Sequence, residues 1–219
     1  MSDCCTPLGY RRIFSEKNAA RQAALYRSRG MDGVSRRLVQ EVLERGVRGA
    51  TVLEVGGGIG AVQIELLRAG AARVISVEMT PTYEAVAAGL LREAGLEGKV
   101  ERRILDFAAA ASEIPSADVV IMNRVVCCYP NMTMLVRAAA DHTRGLLVMS
   151  FPRRRWWTRA LLTAGNLGFR LTRREFHIFL HWPTRIRATA EALGLAARRD
   201  REGWLWQISS FERRAEAGG

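Results

Sequence analysis

The sequence predicts an α/β fold: a doubly wound, mostly parallel seven-stranded sheet of the Rossmann-like kind, with an N-terminal helical cap and an antiparallel C-terminal hairpin. From residue 49 onward, short aliphatic runs alternate with segments of helical apolar spacing, which favours a parallel sheet covered by helices on both faces. The runs are rich in aliphatic residues, as strands buried on both faces require. The last two runs flank a turn at residues 201–203, which indicates a hairpin.

The elements can be assigned in chain order. Two helices, at residues 16–29 and 33–45, precede the sheet and end at Gly30 and Gly46. Strands are predicted at residues 50–55, 73–78, 100–105, 117–122 and 145–150, and helices between them at 59–69, 82–94 and 132–142. An irregular segment with one helix, 151–182, leads to a helix at 183–193 and strands at 195–200 and 204–211.

The net charge of +11 is distributed unevenly over four parts of the chain. These parts are a cap at residues 1–48, a cofactor-binding half at 49–150, a lid segment at 151–183, and a last helix and hairpin at 184–219 that complete the same domain. Residues 1–48 carry +5, residues 49–150 carry −2, and residues 151–219 carry +8. Because the excess positive charge lies in the cap and the C-terminal part, nucleic acid is not the expected partner. The basic flanks could still bind the phosphates of an RNA.

Cysteine usage and hydropathy predict a cytoplasmic protein. Cys4-Cys5 and Cys127-Cys128 are vicinal pairs, and a disulfide between sequence neighbours is strained, so we expect free thiols. The first residues lack the basic and apolar regions of a signal peptide. The apolar runs are shorter than the ~20 residues that cross a bilayer as a helix.

A glycine-rich turn at residues 52–60 (VLEVGGGIG) is the strongest motif. A strand that ends in such a turn and opens a helix lets the backbone approach a nucleotide-like ligand closely. Gly56, Gly58 and Ala61 also satisfy the looser dinucleotide fingerprint. Glu54, two positions before the first glycine, favours the cationic amino-acid part of S-adenosylmethionine, since a carboxylate would repel a pyrophosphate.

Acidic residues at two further strand ends fit the same ligand. Glu78 ends the second strand, where a carboxylate can accept both ribose hydroxyls. Asp106 and Phe107 follow the third strand, where an acid can accept the adenine amino group and an aromatic ring can stack on the base. The predicted cofactor-binding residues are Glu54, Gly56, Gly57, Gly58, Gly60, Glu78, Met79, Asp106, Phe107 and Asn123.

The end of the fourth strand, residues 122–130 (MNRVVCCYP), is predicted to face the transferred methyl group. With the glycine motif, it makes residues 49–211 resemble the class I S-adenosylmethionine-dependent methyltransferases. The Tyr129-Pro130 pair, the exit from strand five at residues 150–152 (SFP) and the N-terminal helical cap resemble the magnesium-protoporphyrin IX O-methyltransferases. Where that family has Asp and His before Tyr-Pro, this sequence has Arg124 and Cys128.

The resemblance implies a methyltransferase, and the residues at its crevice favour a small, apolar, anionic acceptor. A carboxylate is ionised at pH 7 and needs no general base, and Arg124 or Arg153 could orient it. Cys128, Tyr129 and Arg124 are the candidate catalytic residues. The cysteine pairs could instead line an apolar pocket or serve a thiol or metalloid acceptor. On the resemblance, Tyr10, Phe14 and Tyr26 are candidate lid contacts.

Arginines stand beside paired tryptophans at residues 153–159 (RRRWWTR), ahead of an apolar stretch. The pattern suits an interfacial helix in peripheral contact with a membrane, the roof of a pocket, or a solvated run with buried tryptophans. Arg153 and Trp156 are therefore candidate substrate or lid residues. His177 and His181 could ligate a metal if helical; we expect them to line the pocket and predict no metal site.

Three hypotheses follow from the sequence. The favoured one is a methyltransferase that acts on a small molecule. The second is an RNA or protein methyltransferase that docks through the basic flanks, and the third is a non-enzymatic S-adenosylmethionine-binding protein.

Overall fold

The computed structural model describes residues 7–214 and forms one seven-stranded sheet in the order β3-β2-β1-β4-β5-β7-β6. The strands are β1 (Thr51–Val55), β2 (Arg73–Glu78), β3 (Val100–Ile104), β4 (Ala117–Asn123), β5 (Thr143–Pro152), β6 (Leu195–Glu202) and β7 (Trp206–Arg213). Strands β1 to β5 are parallel, and β7 is antiparallel to both β5 and β6. The predicted fold class is confirmed.

The helices lie in chain order around this sheet. They are α1 (Pro7–Ile13), α2 (Glu16–Arg29), α3 (Gly33–Arg45), α4 (Ala61–Arg68), α5 (Glu84–Glu93), α6 (Met132–Asp141), α7 (Trp156–Leu171) and α8 (Pro183–Glu191). Short 3-10 turns occupy Pro81–Tyr83 and Val126–Cys128, among others. No helix in residues 7–214 is long and apolar enough to cross a membrane.

The sheet separates two apolar cores because side chains alternate along each strand. On β1, Leu53 and Val55 belong to the core that includes residues of α6 and α8. Val52 belongs to the core that includes residues of α3 and α4. Glu54 follows the same alternation, so its carboxyl group lies on the α4 side, beneath the glycine-rich turn.

Local signals explain why the cap helices begin and end where they do. Ser15 caps α2, and the Asp32 carboxylate caps α3 by accepting from the backbone N–H of Val34 at 2.9 Å. Gly30, with φ of 69°, ends α2. The short helix α1 was not predicted, because its stability depends on packing: Tyr10 is buried against Phe14 and Phe176.

Helix α7 is the one helix expected within residues 151–182, and it spans sixteen of them. The bounds of the last two strands differ from the expectation. Strand β6 continues through Glu202, and β7 begins at Trp206, so the turn lies at residues 203–205 and not 201–203. The reason is that the Gly203 N–H still donates to the Trp206 carbonyl at 2.8 Å, which extends the pairing by one step.

Candidate active site

The glycine-rich turn after β1 forms the floor of a cavity of about 770 Å³. Gly56 and Gly58 have φ of 71° and 56°, a region that side chains rarely adopt. A Cβ on Gly56 would lie 2.5 Å from Val125 Cγ2, so only glycine fits between β1 and the loop after β4. Gly60, also with positive φ, precedes α4 and lies outside the cavity lining that is described.

Glu54 places a buried carboxylate with an unused oxygen at this floor. Its side chain is 1% exposed, and Oε2 has no hydrogen-bond partner. Burial raises the pKa of Glu54 to about 7; a hydrogen bond from Gln63 opposes the rise and the charge of Glu78 adds to it. A buried acceptor without a partner is costly, so a cationic donor such as an ammonium group fits this position.

Glu78 lines the cavity from the end of β2. One of its oxygens accepts from the backbone N–H of Gly58, which fixes the carboxylate beside the glycine turn. Burial raises the pKa of Glu78 to about 7, against the lowering effect of that hydrogen bond and of Arg102. Arg102 itself pairs with Glu84 at 2.7 Å and donates to the Gly58 carbonyl at 3.3 Å. Met79 follows Glu78 in the lining.

Asp106 and Phe107 lie in the cavity wall after β3, and Asp106 already has partners. Its carboxylate accepts from the Tyr129 hydroxyl at 3.0 and 3.1 Å and from the Ala108 N–H at 3.0 Å. Phe107 is 3% exposed and packs edge-to-face on His142 at 5.5 Å between centroids. Asp106 therefore links the cofactor wall to the loop that carries Tyr129.

A hydrogen-bonded network fixes the exit of β4. Asn123 donates to the Ser35 hydroxyl at 3.0 Å and accepts from the Ser150 hydroxyl at 2.7 Å. Ser35 donates to Asp32 at 2.8 Å, and Asp32 accepts from the Arg124 guanidinium at 2.5 Å. The exit of β4 is thereby tied to β5 and to the start of α3.

Arg124 occupies a strained position in the cavity. Its φ of 62° is left-handed, which is uncommon for a residue other than glycine and often marks a functional site. The guanidinium lies 5.2 Å from the centre of the Trp206 ring, and Nε is buried without a partner. Burial acts to raise the pKa of Asp32, but the charge of Arg124 and hydrogen bonds from Ser35 lower it overall.

Cys128 lines the cavity and is held as a thiol. Its Sγ lies 3.8 Å from Cys127 Sγ and 3.5 Å from the Arg124 carbonyl. The hydrogen bond with Cys127 and burial raise the pKa of Cys128 well above its usual range, so a thiolate is disfavoured. Cys4 and Cys5 lie outside the described residues. Within residues 7–214, no group of three or more His, Cys, Asp or Glu side chains could hold a metal ion.

The cap closes the other side of the cavity. Tyr10 donates a hydrogen bond to the Cys128 carbonyl, and Phe14 packs edge-to-face on Tyr83 at 6.3 Å. The Tyr26 hydroxyl donates to Glu65 at 2.6 Å. The three predicted lid aromatics therefore line the cavity, anchored to the loop after β4 and to helices of the cofactor half.

Besides Gly60, four candidate substrate or lid residues lie outside the described lining of this cavity. Arg153 pairs with Glu202 and donates to the Gly203 carbonyl at 2.8 Å, so it supports the β6–β7 hairpin. Trp156 is 78% exposed on α7. His177 and His181 lie in a non-helical stretch, so the helical spacing that a metal pair would need is not present. The His181 ring bonds the Tyr129 carbonyl at 3.1 Å.

The structure brings in several lining residues that the sequence did not single out. Asp32 lies in the break between α2 and α3, Ser35 lies in the first turn of α3, and Arg29 and Arg36 lie on either side of the break. The predicted break between the two cap helices could have pointed to these residues, because binding groups are often carried by loops. The remaining residues of this kind include Gln22, Leu25, Met31, Thr80 and Leu105.

Comparison with known proteins identifies the family and the fold. A model of a methyltransferase-domain family matches residues 26–219. The fold is similar to magnesium protoporphyrin IX methyltransferase from Synechocystis PCC 6803 with bound S-adenosylhomocysteine (TM-score 0.72, 20% identity, 93% of this chain and 98% of that chain). It is also similar to an O-methyltransferase family protein from Burkholderia thailandensis (TM-score 0.71, 21% identity, 98% and 66% of the two chains).

A curated relative matches over a shorter stretch. The ribosomal protein L11 methyltransferase of Pelotomaculum thermopropionicum is 42% identical over 65 residues, which are 29% of this chain and 21% of the relative. The chain therefore matches about a fifth of that protein's length.

The fold and the cavity define a class I methyltransferase domain. The chain belongs to the methyltransferase-domain family, whose model spans most of its length. It is an S-adenosylmethionine-dependent methyltransferase domain, and the free Glu54 oxygen, the Glu78 carboxylate and the close glycine turn fit that cofactor.

Proposed function

We propose that the enzyme methylates a small, apolar carboxylic acid on oxygen. The observation that carries the proposal is Arg124, which lines the cavity with a buried Nε that has no hydrogen-bond partner, near aromatic and apolar residues such as Tyr10 and Val125. A guanidinium has five N–H donors, and Asp32 engages only one side of it. A carboxylate that binds the remaining donors would be oriented by charge-assisted hydrogen bonds.

Further positive charge stands around the same region. Arg29 and Arg36 line the cavity, are exposed, and form no ion pair with any residue in 7–214. Near the break between α2 and α3, these two arginines and Arg124 outnumber Asp32. The other acidic lining residues, Glu54, Glu78 and Asp106, are assigned to the cofactor side, so the charge at the acceptor end favours an anionic acceptor over a cationic one.

Glu54 and Glu78 are assigned to the cofactor in this proposal, and the lack of a suitable base among Tyr129, Cys128 and Asp32 on the acceptor side supports a carboxylate over a phenol or alcohol. Burial and the charge of Asp106 raise the pKa of Tyr129, and Cys128 is held protonated. Asp32 has a lowered pKa and is a weak base. A carboxylate is ionised at pH 7 with an ordinary pKa of about 4, so it can act as the nucleophile without losing a proton to the protein.

The residues around the cavity position the reaction. S-adenosylmethionine supplies an electrophilic methyl group on a sulfonium when it is bound. Glu54, Glu78 and the glycine turn would hold the cofactor, and Asn123 fixes the β4 exit that carries Arg124. Tyr10 and Phe14 cover the cavity and exclude water, which favours alignment of acceptor and methyl group.

Methyl transfer to a panel of apolar carboxylic acids and their matched alcohols and amides tests the proposal. We expect label only in acids, as methyl esters. Arg124→Gln should lower kcat/KM for the acid about 10- to 100-fold, the worth of hydrogen bonds to a charged group, while cofactor affinity stays the same. Arg73→Gln is the matched control, because Arg73 is the first residue of β2 and lies at the opposite end of that strand from Glu78 and the cavity.

Other outcomes would contradict the proposal. Turnover of the alcohols, or an unchanged kcat/KM in Arg124→Gln, would remove the carboxylate anchor. Label that enters RNA or a protein from a host-cell extract would favour the docking of a macromolecule through the basic flanks.

A further inference from the structure

Helix α7 presents an apolar face to solvent. Its exposed residues Trp156, Ala160, Ala164, Leu167 and Leu171 are spaced four, four, three and four apart, which places them on one side of the helix. Trp156 is 78% exposed and Leu171 is 75% exposed. Thr158 is the single buried residue among the sixteen of α7. A continuous apolar face of this kind marks an interaction surface.

The same segment is strongly basic. Residues 153–174 hold seven arginines and no acidic residue. Arg159 and Arg170, eleven residues apart, lie along one edge of the apolar face, and Arg173 and Arg174 follow its end. None of these four forms an ion pair with a residue in the described range 7–214. Their charge is therefore available to an anionic partner.

A groove of about 720 Å³ lies between α7 and the segment that follows it. Its basic lining comes from Arg154, Arg159, Arg170 and Arg174, and its apolar lining includes Leu162 and Leu167. Arg154 is stacked on Trp182 at 3.5 Å and donates to the Leu180 carbonyl at 3.0 Å, so this edge of the groove is fixed. The groove offers cationic donors next to apolar surface, the combination that a lipid headgroup and its acyl chains require.

We propose that α7 lies flat in the interface of an anionic lipid bilayer, with its apolar stripe among the acyl chains and its arginines at the headgroups. Tryptophan and leucine on one face with arginine along its edge is the composition of an interfacial helix. Anionic leaflets attract such basic segments. A second copy of this chain fits poorly, because pairing two such faces would bring the four arginines without ion pairs, Arg159, Arg170, Arg173 and Arg174, against the same four of the other copy. RNA would leave the apolar stripe uncovered.

The inner face of α7 connects this surface to the active site. Phe169 packs on Phe176 at 5.5 Å between ring centroids, and Phe176 packs on Tyr10 at 5.6 Å and on Phe14 at 5.9 Å. Helix α7 is therefore connected through Phe176 to Tyr10 and Phe14, two cap residues that line the cavity. The docking proposal does not depend on which acceptor is methylated.

Co-sedimentation with vesicles tests the docking. The protein should bind phosphatidylcholine vesicles that contain phosphatidylglycerol and should bind pure phosphatidylcholine vesicles far less. The double variant W156E/L171E should weaken binding at least ~10-fold, because each side chain loses the free energy of burial in the bilayer. Arg159→Gln with Arg170→Gln should reduce the preference for anionic vesicles, by about fivefold per arginine.

Leu43→Glu is the matched control, since Leu43 is 43% exposed on α3, away from α7. It should bind vesicles like the unaltered protein, and all variants should keep their circular dichroism spectrum and cofactor affinity. Equal binding to both vesicle types, or unchanged binding by W156E/L171E, would overturn the proposal. A dimer that this variant dissociates would assign the face to a second copy. Saturable RNA binding without vesicle binding would assign the arginines to RNA.

Discussion

We expect cofactor affinity to depend strongly on pH, because two buried carboxylates, Glu54 and Glu78, lie at the floor of the cofactor site. The pKa of Glu54 and of Glu78 is raised to about 7, mainly by burial. Bound cofactor would present an ammonium to Glu54 and ribose hydroxyls to Glu78, and both partners favour the ionised carboxylate. Protonated carboxyls must therefore lose their protons on binding, so affinity rises as pH rises through 7.

The size of the effect follows from the ionised fractions. A carboxyl of pKa about 7 is ionised to roughly one part in eleven at pH 6 and about three parts in four at pH 7.5. If one group must ionise, affinity rises about 8-fold over this interval, and if both must ionise it rises about 70-fold. Coupling between the two charges spreads the titration but keeps its direction, since the charge of Glu78 raises the pKa of Glu54 further.

Titration calorimetry with S-adenosylmethionine from pH 6 to pH 7.5 measures this, because the cofactor's ammonium stays largely protonated there. The unaltered protein should show the steep dependence, and Glu54→Gln should retain about the 8-fold share of Glu78 and bind more weakly at pH 7.5. Binding enthalpies measured in buffers of different ionisation enthalpy give the number of protons released when the cofactor binds. At pH 6 this number should be close to two in the unaltered protein and close to one in Glu54→Gln. An affinity independent of pH in the unaltered protein would refute the placement of the ammonium at Glu54.

Two further predictions concern the turn and the cap. Gly56→Ala should weaken cofactor binding at least ~10-fold, because alanine would need a left-handed φ and its Cβ would lie 2.5 Å from Val125 Cγ2. Titration calorimetry measures this affinity. The control is Gly89→Ala, at an open helical position, which should leave the affinity unchanged. Tyr10→Phe removes the hydroxyl that donates a hydrogen bond to the Cys128 carbonyl. Steady-state kinetics should show the KM for the acceptor raised roughly 5-fold, while cofactor affinity is preserved. An unchanged KM would show that this hydrogen bond does not hold the cap over the acceptor.

The cofactor half of the site could be predicted from sequence because its determinants are local. A strand, a glycine turn and a helix follow one another within residues 51–68, and the parallel sheet then brings the strand ends that carry Glu54, Glu78 and Asp106 to one edge. The roles assigned to these residues stay predictions, and Asp106 shows why. Its partner Tyr129 is 23 residues away in the chain, so the occupied carboxylate was not visible in the motif.

The acceptor side depended on contacts that no local pattern encodes. Arg124 meets Asp32 across 92 residues, and Tyr10 reaches Cys128 across 118. The lid aromatics were proposed from a family resemblance, whereas Arg29 and Arg36 were not proposed at all. Arg153, expected near the substrate, instead pairs with Glu202, because the end of β5 lies beside the β6–β7 hairpin.

The sequence by itself determined the alternation of strands and helices, the glycine turn and the acids at three strand ends, since periodicity and turn chemistry act over a few residues. The tertiary structure decided which side chains share a cavity, which charges pair, and which face of α7 is left to solvent. Those outcomes depend on packing between distant segments, where burial and charge are set by neighbours far away in the chain.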